Sequence, residues 1–227
     1  MAAASLAILK LDTRFPRLPG DIACKDSFAR PVRLQTIAEA SVDAVVSRNP
    51  EGLDLSAFEQ AVQTATEPLI TTSCGFMIYF QDRLNALNNR PFISSALTAL
   101  PALRARYRDE QIAILTFDAD TLGAPAYAAS LQGFSGPVVG LDKSGHLYRT
   151  IKEDHPQLDA EQAAAELAQL TRQLLATHGQ VKSLLLECTN LSPYRAVFRA
   201  GFEGEIIDLL TTLDSLSPGL VKPEFLI

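Results

Sequence analysis

The sequence of 227 residues has little that would place it in a membrane or on nucleic acid. No run approaches the roughly 18 consecutive apolar residues that a membrane-spanning helix needs. The formal net charge is −6, whereas a protein that binds the phosphate backbone of nucleic acid needs clustered Lys and Arg. We therefore expect neither a membrane nor a nucleic-acid partner.

Histidine and cysteine are both scarce, with three residues of each. Neither a CxxC nor an HxxxH spacing occurs, so the sequence gives no support for a metal site. Three widely separated cysteines do not suggest a disulfide framework in a chain of this length, and they favour a reducing compartment. The first eleven residues are apolar but lack a basic segment, which argues against a signal peptide. We expect a cytoplasmic protein.

Hydrophobic residues make up 47% of the chain and charged residues 20%, which are ordinary values for a protein with a full core. Short apolar runs alternate with stretches of helical periodicity, a pattern that predicts parallel βαβ units. The clearest helix is expected over 159–177, with Asp159 as its N-cap. The predicted strands are 5–11, 42–46, 68–72, 91–93, 111–117, 136–141 and 181–186, and the other predicted helices are 55–65, 76–87, 96–106, 120–131 and one from 193.

Two of the three cysteines share one sequence context. The first lies in Pro68-Leu-Ile-Thr-Thr-Ser-Cys74-Gly-Phe and the second in Leu184-Leu-Leu-Glu-Cys188-Thr-Asn. In each case an apolar strand is predicted just before the cysteine and a helix just after it. Open α/β sheets bind ligands at the carboxyl ends of their strands, and a helix N-terminus lowers the pKa of a thiol. We expect Cys74 and Cys188 to face each other across one cleft. The alternative is that each is a small buried hydrophobic residue.

A facing pair of thiols suits the inversion of a carbon centre without a cofactor. One thiolate removes the α-proton from one face, and the opposite thiol returns a proton on the other face. The two groups exchange roles in the reverse direction.

Three segments resemble the aspartate/glutamate racemase superfamily, which also includes hydantoin racemase, maleate isomerase and arylmalonate decarboxylase. The segments are residues 9–22, 70–76 and 186–190, and the resemblance spans nearly the whole chain. It implies an α/β fold of two similar Rossmann-like subdomains with parallel sheets, an active site in the cleft between them, and no cofactor. We expect residues 1–100 to form the first subdomain, joined by the C-terminal segment 208–227, and residues 101–207 to form the second.

The chain departs from the amino-acid racemases beside both cysteines. Those enzymes usually carry Asn-Thr after the first cysteine, residues that hold the amino and carboxylate groups of the substrate, and this chain has Gly75 and Phe76. After the second cysteine Thr189 matches the superfamily, but Asn190 replaces the frequent His. The resemblance therefore carries over the cysteine pair but not glutamate or aspartate as the substrate.

Polar residues near the predicted strand ends are candidates for substrate binding. Arginine in the loop after the first strand suits bidentate binding of a carboxylate, although a solvated loop charge is the alternative. Hydroxyl groups beside the cysteines could donate to a carboxylate or cap the strand ends. Glu187 would either raise the pKa of Cys188 as a like-charge neighbour or point to the other face of its strand. The candidate substrate-binding residues are Asp12, Arg14, Arg17, Thr72, Ser73, Gly75, Thr189 and Asn190.

The sequence thus predicts an isomerase: a cofactor-independent racemase or epimerase that acts on a small carboxylate-bearing carbon acid, such as an amino acid, through Cys74 and Cys188. One alternative is a cysteine-dependent isomerase or decarboxylase of the same superfamily. Another is a non-catalytic small-molecule-binding protein, since a fold does not fix a function. The resemblance is also compatible with a homodimer.

Overall fold

Short apolar runs form the strands of two parallel sheets in the computed structural model, which describes residues 3–227. The first sheet has the order β2-β1-β3-β4 and the second the order β6-β5-β7-β8, and every neighbouring pair is parallel. The strands are β1 (Leu6–Leu11), β2 (Val32–Ile37), β3 (Ile70–Thr72), β4 (Phe92–Ile93), β5 (Ile112–Thr116), β6 (Val138–Gly140), β7 (Ser183–Leu186) and β8 (Glu205–Ile207).

Helices connect the parallel strands, except that a loop with one 3₁₀ turn joins β1 to β2, because a parallel pair needs a crossover connection rather than a tight turn. The longest helix is the predicted one, and the Asp159 carboxylate caps it by accepting a hydrogen bond of 2.9 Å from the Gln162 amide. The helices are α1 (Val42–Val45), α2 (Ser56–Thr64), α3 (Gln81–Asn85), α4 (Leu100–Arg104), α5 (Ala119–Leu122), α6 (Ala128–Leu131), α7 (His146–Lys152), α8 (Ala160–Thr177), α9 (Arg195–Gly201) and α10 (Leu209–Leu216).

The two-subdomain α/β architecture with parallel sheets is confirmed. Central strands β1, β5 and β7 are buried almost throughout, as expected for parallel sheets covered on both faces. The strand predicted over 42–46 is wrong, because α1 occupies that segment. The Ser41 hydroxyl caps it by accepting from the Ala44 amide at 3.2 Å.

The C-terminal segment packs against the first half of the chain. After α10, Val221 forms an isolated antiparallel bridge with Phe28, and the Ala29 amide donates to the Leu220 carbonyl at 2.9 Å. The predicted boundary between residues 100 and 101 lies inside α4, directly after its first residue. Among residues 3–227, no helix combines the length and the apolar character needed to cross a membrane.

Candidate active site

The two cysteines occupy equivalent positions in the two sheets. Cys74 lies two residues after β3 and directly precedes the 3₁₀ segment Gly75–Phe80. Cys188 lies two residues after β7 and directly precedes the 3₁₀ segment Thr189–Tyr194. Each strand is third in sequence within its sheet and pairs with the first. Both thiols are free, and the two residues are only 9% and 6% exposed. Equivalent strand ends thus deliver one thiol from each half.

Both cysteines line one narrow, nearly closed cavity between the two halves, whose free volume is about 20 Å³. Of the candidate binding residues, the wall includes Arg17, Ser73, Gly75, Thr189 and Asn190, and it does not include Asp12, Arg14 or Thr72. The remaining lining residues are Leu11, Phe15, Val42, Val46, Phe76, Phe117, Ile151 and Glu187.

A larger groove, with a free volume of about 430 Å³, lies between β6 and α8 in the second half. It is lined mainly by aliphatic and amide side chains and contains neither cysteine. We take the smaller cavity as the candidate active site, because the two free cysteines, Arg17 and Glu187 converge there.

Arg17 is held rigidly in the wall of this cavity. Its Nη1 donates to both carboxylate oxygens of Asp21 at 3.3 Å, and its Nη2 donates to the Thr13 hydroxyl at 3.2 Å. The guanidinium also lies 4.3 Å from the ring centroid of Phe15. Its Nε is buried and has no hydrogen-bond partner among the described residues. The side chain therefore offers one unused N–H donor in a fixed position.

Asp21 is a site residue that the sequence did not single out. Its carboxylate binds Arg17 and also accepts from Nδ2 of Asn190 at 2.9 Å. The Oδ1 of Asn190 in turn lies 3.9 Å from the sulfur of Cys188, which donates to it. The sequence signal that could have found Asp21 is its place in the proline- and glycine-rich loop after β1. One buried carboxylate therefore orients both Arg17 and the neighbour of Cys188.

Glu187 faces the cavity rather than the opposite side of its strand. The residue is fully buried, and its Oε2 accepts a hydrogen bond of 2.6 Å from the Thr116 hydroxyl. Its Oε1 has no partner among the described residues. Burial raises the pKa of Glu187 to about 7, against the opposing effect of the Thr116 hydrogen bond.

Burial dominates the acidity of both thiols. It raises the pKa of Cys74 to about 12 and the pKa of Cys188 well above its usual value, and the charge of Glu187 adds to both shifts. The expectation that helix N-termini bring these pKa values towards neutrality is therefore wrong for this structure.

The groups that oppose this effect differ between the two thiols. Backbone N–H groups of Phe76 and Met77 and the charge of Arg17 lower the pKa of Cys74, whereas Cys188 has only the N–H of Asn190. Cys74 has the environment that better supports a thiolate.

A hydrogen bond joins the two halves beside the cysteines. The Thr189 hydroxyl donates to the Ser73 carbonyl at 2.9 Å, and the Ser73 hydroxyl accepts from the Leu11 amide at 3.0 Å. The Thr72 hydroxyl donates to the Cys74 carbonyl at 3.1 Å and to the Ser94 carbonyl at 3.0 Å. In this structure these hydroxyl groups hold the cysteine loops in place.

Of the three candidate residues outside the cavity, Thr72 is buried, and the other two are on the surface. Arg14 is a surface residue with a side chain 73% exposed, and its Nε pairs with Oδ2 of Asp154 at 3.0 Å. Asp12 is exposed as well. The loop after β1 turns between positions 14 and 17, so only the second arginine points inward. Among residues 3–227, no group of three or more His, Cys, Asp or Glu side chains is arranged to hold a metal ion.

Three solved racemase structures share this fold. Allantoin racemase from Pseudomonas fluorescens matches with a TM-score of 0.58 and 13% identity, covering 97% of this chain and 95% of that one. Glutamate racemase RacE1 from Bacillus anthracis matches with a TM-score of 0.57 and 12% identity, covering 96% of this chain and 84% of that one. Aspartate racemase from Picrophilus torridus matches with a TM-score of 0.55 and 13% identity, covering 98% of both chains. The chain has the fold of the aspartate/glutamate racemase superfamily, as predicted.

Curated relatives in sequence carry a different activity. A dimethylsulfoniopropionate lyase of Durusdinium sp. clade D is 27% identical over 98% of this chain and 77% of its own length. Dimethylsulfoniopropionate lyases 3 and 6 of Emiliania huxleyi are each 25% identical over 97% of this chain. The chain spans 61% of the length of each of those two relatives. No family model matches the chain.

These relatives correct the functional expectation. They are lyases, so the prediction of a racemase or epimerase is wrong. The relatives in sequence and the neighbours in fold are all enzymes, which supports the broader expectation of an enzyme but not that of an isomerase.

Proposed function

We propose that the chain is a lyase that eliminates a leaving group β to a carboxylate, with dimethylsulfoniopropionate as its substrate. The observation that carries this proposal is the convergence of two free cysteines and Arg17 on one cavity. It is supported by similarity over almost the whole chain to dimethylsulfoniopropionate lyases.

The chemistry of this substrate needs one base. Dimethylsulfoniopropionate carries a carboxylate and a dimethylsulfonium group on adjacent methylene carbons. A base removes a proton from the carbon next to the carboxylate, and the C–H electron pair becomes the double bond of acrylate. The C–S bond breaks and its electron pair leaves with sulfur as neutral dimethyl sulfide. No acid is needed for the leaving group, in contrast to the two-proton exchange of a racemase.

Cys74 is the base in this proposal. Its thiolate is favoured by two backbone N–H groups and by the charge of Arg17. A bound sulfonium adds a positive charge near both thiols, and an opposite charge lowers the pKa of a thiol. The substrate itself therefore promotes the ionisation that burial otherwise resists. After elimination Cys74 is a neutral thiol, and it returns its proton to solvent.

Arg17 binds the carboxylate of the substrate in this proposal. Its unpartnered Nε–H is a charge-assisted donor on the cavity wall. The donor also stabilises the negative charge that develops next to the carboxylate as the proton leaves. Because Asp21 and Thr13 fix the guanidinium, this donor does not have to reorganise during the reaction.

The test is direct incubation of the purified protein with dimethylsulfoniopropionate. We expect dimethyl sulfide by headspace gas chromatography and acrylate by liquid chromatography, in equal amounts. The Durusdinium lyase serves as a positive control under the same conditions. Absence of both products while that control is active would overturn the proposal.

A further inference from the structure

We infer that Glu187 and the aromatic side chains around it form a binding site for the cationic end of a zwitterionic substrate. The inference deepens the proposed function, on which it rests, by naming how the cavity distinguishes the two ends of its ligand. It concerns binding and can be tested without turnover.

The first observation is the unused oxygen of Glu187. Glu187 lines the cavity; one of its carboxylate oxygens accepts from Thr116, and the other is buried beside Gly75 and has no partner among the described residues. A buried acceptor without a partner costs free energy unless something else satisfies it. A ligand cation in the cavity would supply that interaction.

The second observation is the set of aromatic residues in the same wall. Phe76 and Phe117 line the cavity, whereas the ring of Phe15, also in the wall, lies against the Arg17 guanidinium. Phe76 is held edge-on against Tyr127 with ring centroids 5.5 Å apart, and Phe117 stacks on Tyr148 at 4.5 Å. Aromatic faces attract onium cations, which cannot donate ordinary hydrogen bonds from their methyl-substituted centre. A carboxylate with aromatic rings is suited to a sulfonium or quaternary ammonium group.

The third observation is that the two opposite charges of the wall have separate protein partners. Arg17 forms its ion pair with Asp21, and Glu187 is hydrogen-bonded to Thr116. Each still has one buried polar atom without a partner, Nε in Arg17 and Oε1 in Glu187. A zwitterion satisfies both atoms at once, with its carboxylate at Arg17 and its cation at Glu187.

The sequence departure at position 75 makes room for this arrangement. Where amino-acid racemases usually carry Asn, this chain has Gly75, and a Cβ atom there would lie 2.7 Å from Cδ of Glu187. The carboxyl group therefore occupies space that a side chain at position 75 would take. The carboxyl group of Glu187 thus places an acidic group at this point of the wall.

The groups that face Glu187 determine how the site responds to pH. The titratable neighbours are Cys74, Cys188 and Tyr127. Burial raises the pKa of all three side chains, so they stay uncharged near neutral pH. The Arg17–Asp21 ion pair lies in the same wall region, on the loop after β1. With a pKa of about 7, Glu187 gains its charge between pH 6 and pH 8.

The experiment compares two ligands of the same shape. The zwitterion 3-(trimethylammonio)propionate and its carbon isostere, the anion 4,4-dimethylpentanoate, share a carboxylate and a branched end, and differ only in the positive charge at that end. Isothermal titration calorimetry at pH 8 is expected to show at least about tenfold tighter binding of the zwitterion by the wild type. In Glu187→Gln the ratio of the two affinities should fall towards one, while the carbon isostere binds within about threefold of the wild type.

Glu205→Gln is the matched control, because Glu205 also has a buried oxygen without a partner but lies outside the cavity. It should keep the full preference. No preference in the wild type, or an equal loss of both ligands in Glu187→Gln, would assign Glu187 a structural role and overturn the inference. If Glu187→Gln does not fold, the wild type alone decides, since its preference should shrink at least about threefold between pH 8 and pH 5.5.

The outcome separates this inference from the proposed function. Preference for the zwitterion without release of dimethyl sulfide would refute the lyase and leave the binding site. Release of dimethyl sulfide without any preference would do the reverse.

Discussion

The carboxyl group of Glu187 fills the space that a side chain at Gly75 would need. A Cβ atom at position 75 would meet the Oε1, the Cδ and the main-chain oxygen of Glu187. The two positions follow and precede different cysteines, one in each half of the chain. Their contact therefore fixes the two cysteine loops against each other.

Alanine at position 75 should destabilise the protein. Gly75→Ala introduces an atom too close to Glu187, and such overpacking costs about 1–3 kcal/mol. Chemical denaturation measures the loss. Gly52→Ala is the control, because a Cβ atom there meets nothing within 4 Å, and it should change stability by about 0.5 kcal/mol or less. The added substitution Glu187→Ala should restore part of the loss, and equal stability of Gly75→Ala and the wild type would contradict the contact.

Glu187 should make the stability of the fold depend on pH. Its pKa is about 7 in the folded protein and near the usual 4.5 in the unfolded chain, so the folded state binds more protons between those values. Stability should therefore fall as pH rises from about 4.5 to 7 and then level off. A shift of this size corresponds to about 3 kcal/mol.

A comparison of pH profiles isolates this effect. Denaturation of the wild type and Glu187→Gln at pH 5 and pH 8 should show the variant gaining relative stability at the higher pH. If stability changes equally with pH in the wild type and in Glu187→Gln, the pKa of Glu187 is not raised by burial.

Arg17 should contribute to substrate affinity and Arg14 should not. Arg17→Lys keeps a positive charge opposite Asp21, so the fold should survive, but it removes the buried, unpartnered Nε–H. Loss of a charge-assisted hydrogen bond costs about 1.5–3 kcal/mol, which corresponds to a rise in KM of roughly ten- to a hundredfold. Arg14→Lys is the matched control on the surface. A wild-type KM in Arg17→Lys would remove this residue from the binding site.

Substitution of Cys74 should reduce turnover more than any change at the third cysteine. General base catalysis contributes about 10²–10⁴-fold, so Cys74→Ala should lower kcat by that factor without a comparable rise in KM. Cys24 does not line the cavity, and Cys24→Ala should keep its activity. The measurement is the initial rate of acrylate formation.

Cys188→Ala separates two mechanisms. A one-base elimination through Cys74 leaves measurable activity in this variant, above that of Cys74→Ala. If Cys188→Ala is the less active of the two, Cys188 rather than Cys74 is the base.

The sequence predicted the buried parts of the fold best. Strands β1, β5 and β7 are nearly continuous apolar runs, which is typical of strands covered on both faces. The edge strand β2 was missed, because Arg and Gln interrupt its apolar residues. Strand β8 was missed because it has three residues and little pattern. The segment 42–46 is apolar enough for a strand, but the Ser41 cap favours a helix.

The sequence also located the cysteine pair and the arginine in the wall, since strand ends of parallel sheets meet at one edge. It could not tell Arg17 from Arg14, because the direction of each side chain depends on its ion-pair partner. Arg17 pairs with Asp21 in the same loop, and Arg14 pairs with Asp154, which is distant in sequence. The orientation of Glu187 was open for the same reason. Its side chain turns inward because Thr116 on the neighbouring strand binds one of its oxygens.

The common strand order of the two sheets makes the chain a two-fold pseudo-repeat around its active site. Under that symmetry Cys74 corresponds to Cys188, while Ser73 corresponds to Glu187 and Gly75 to Thr189. A catalyst that interconverts mirror images benefits from equivalent sides, because it must work equally from both. An elimination has a direction, and its substrate has two unlike ends. In the lyase that we propose, the unlike residues beside the two like thiols supply the polarity that the elimination requires.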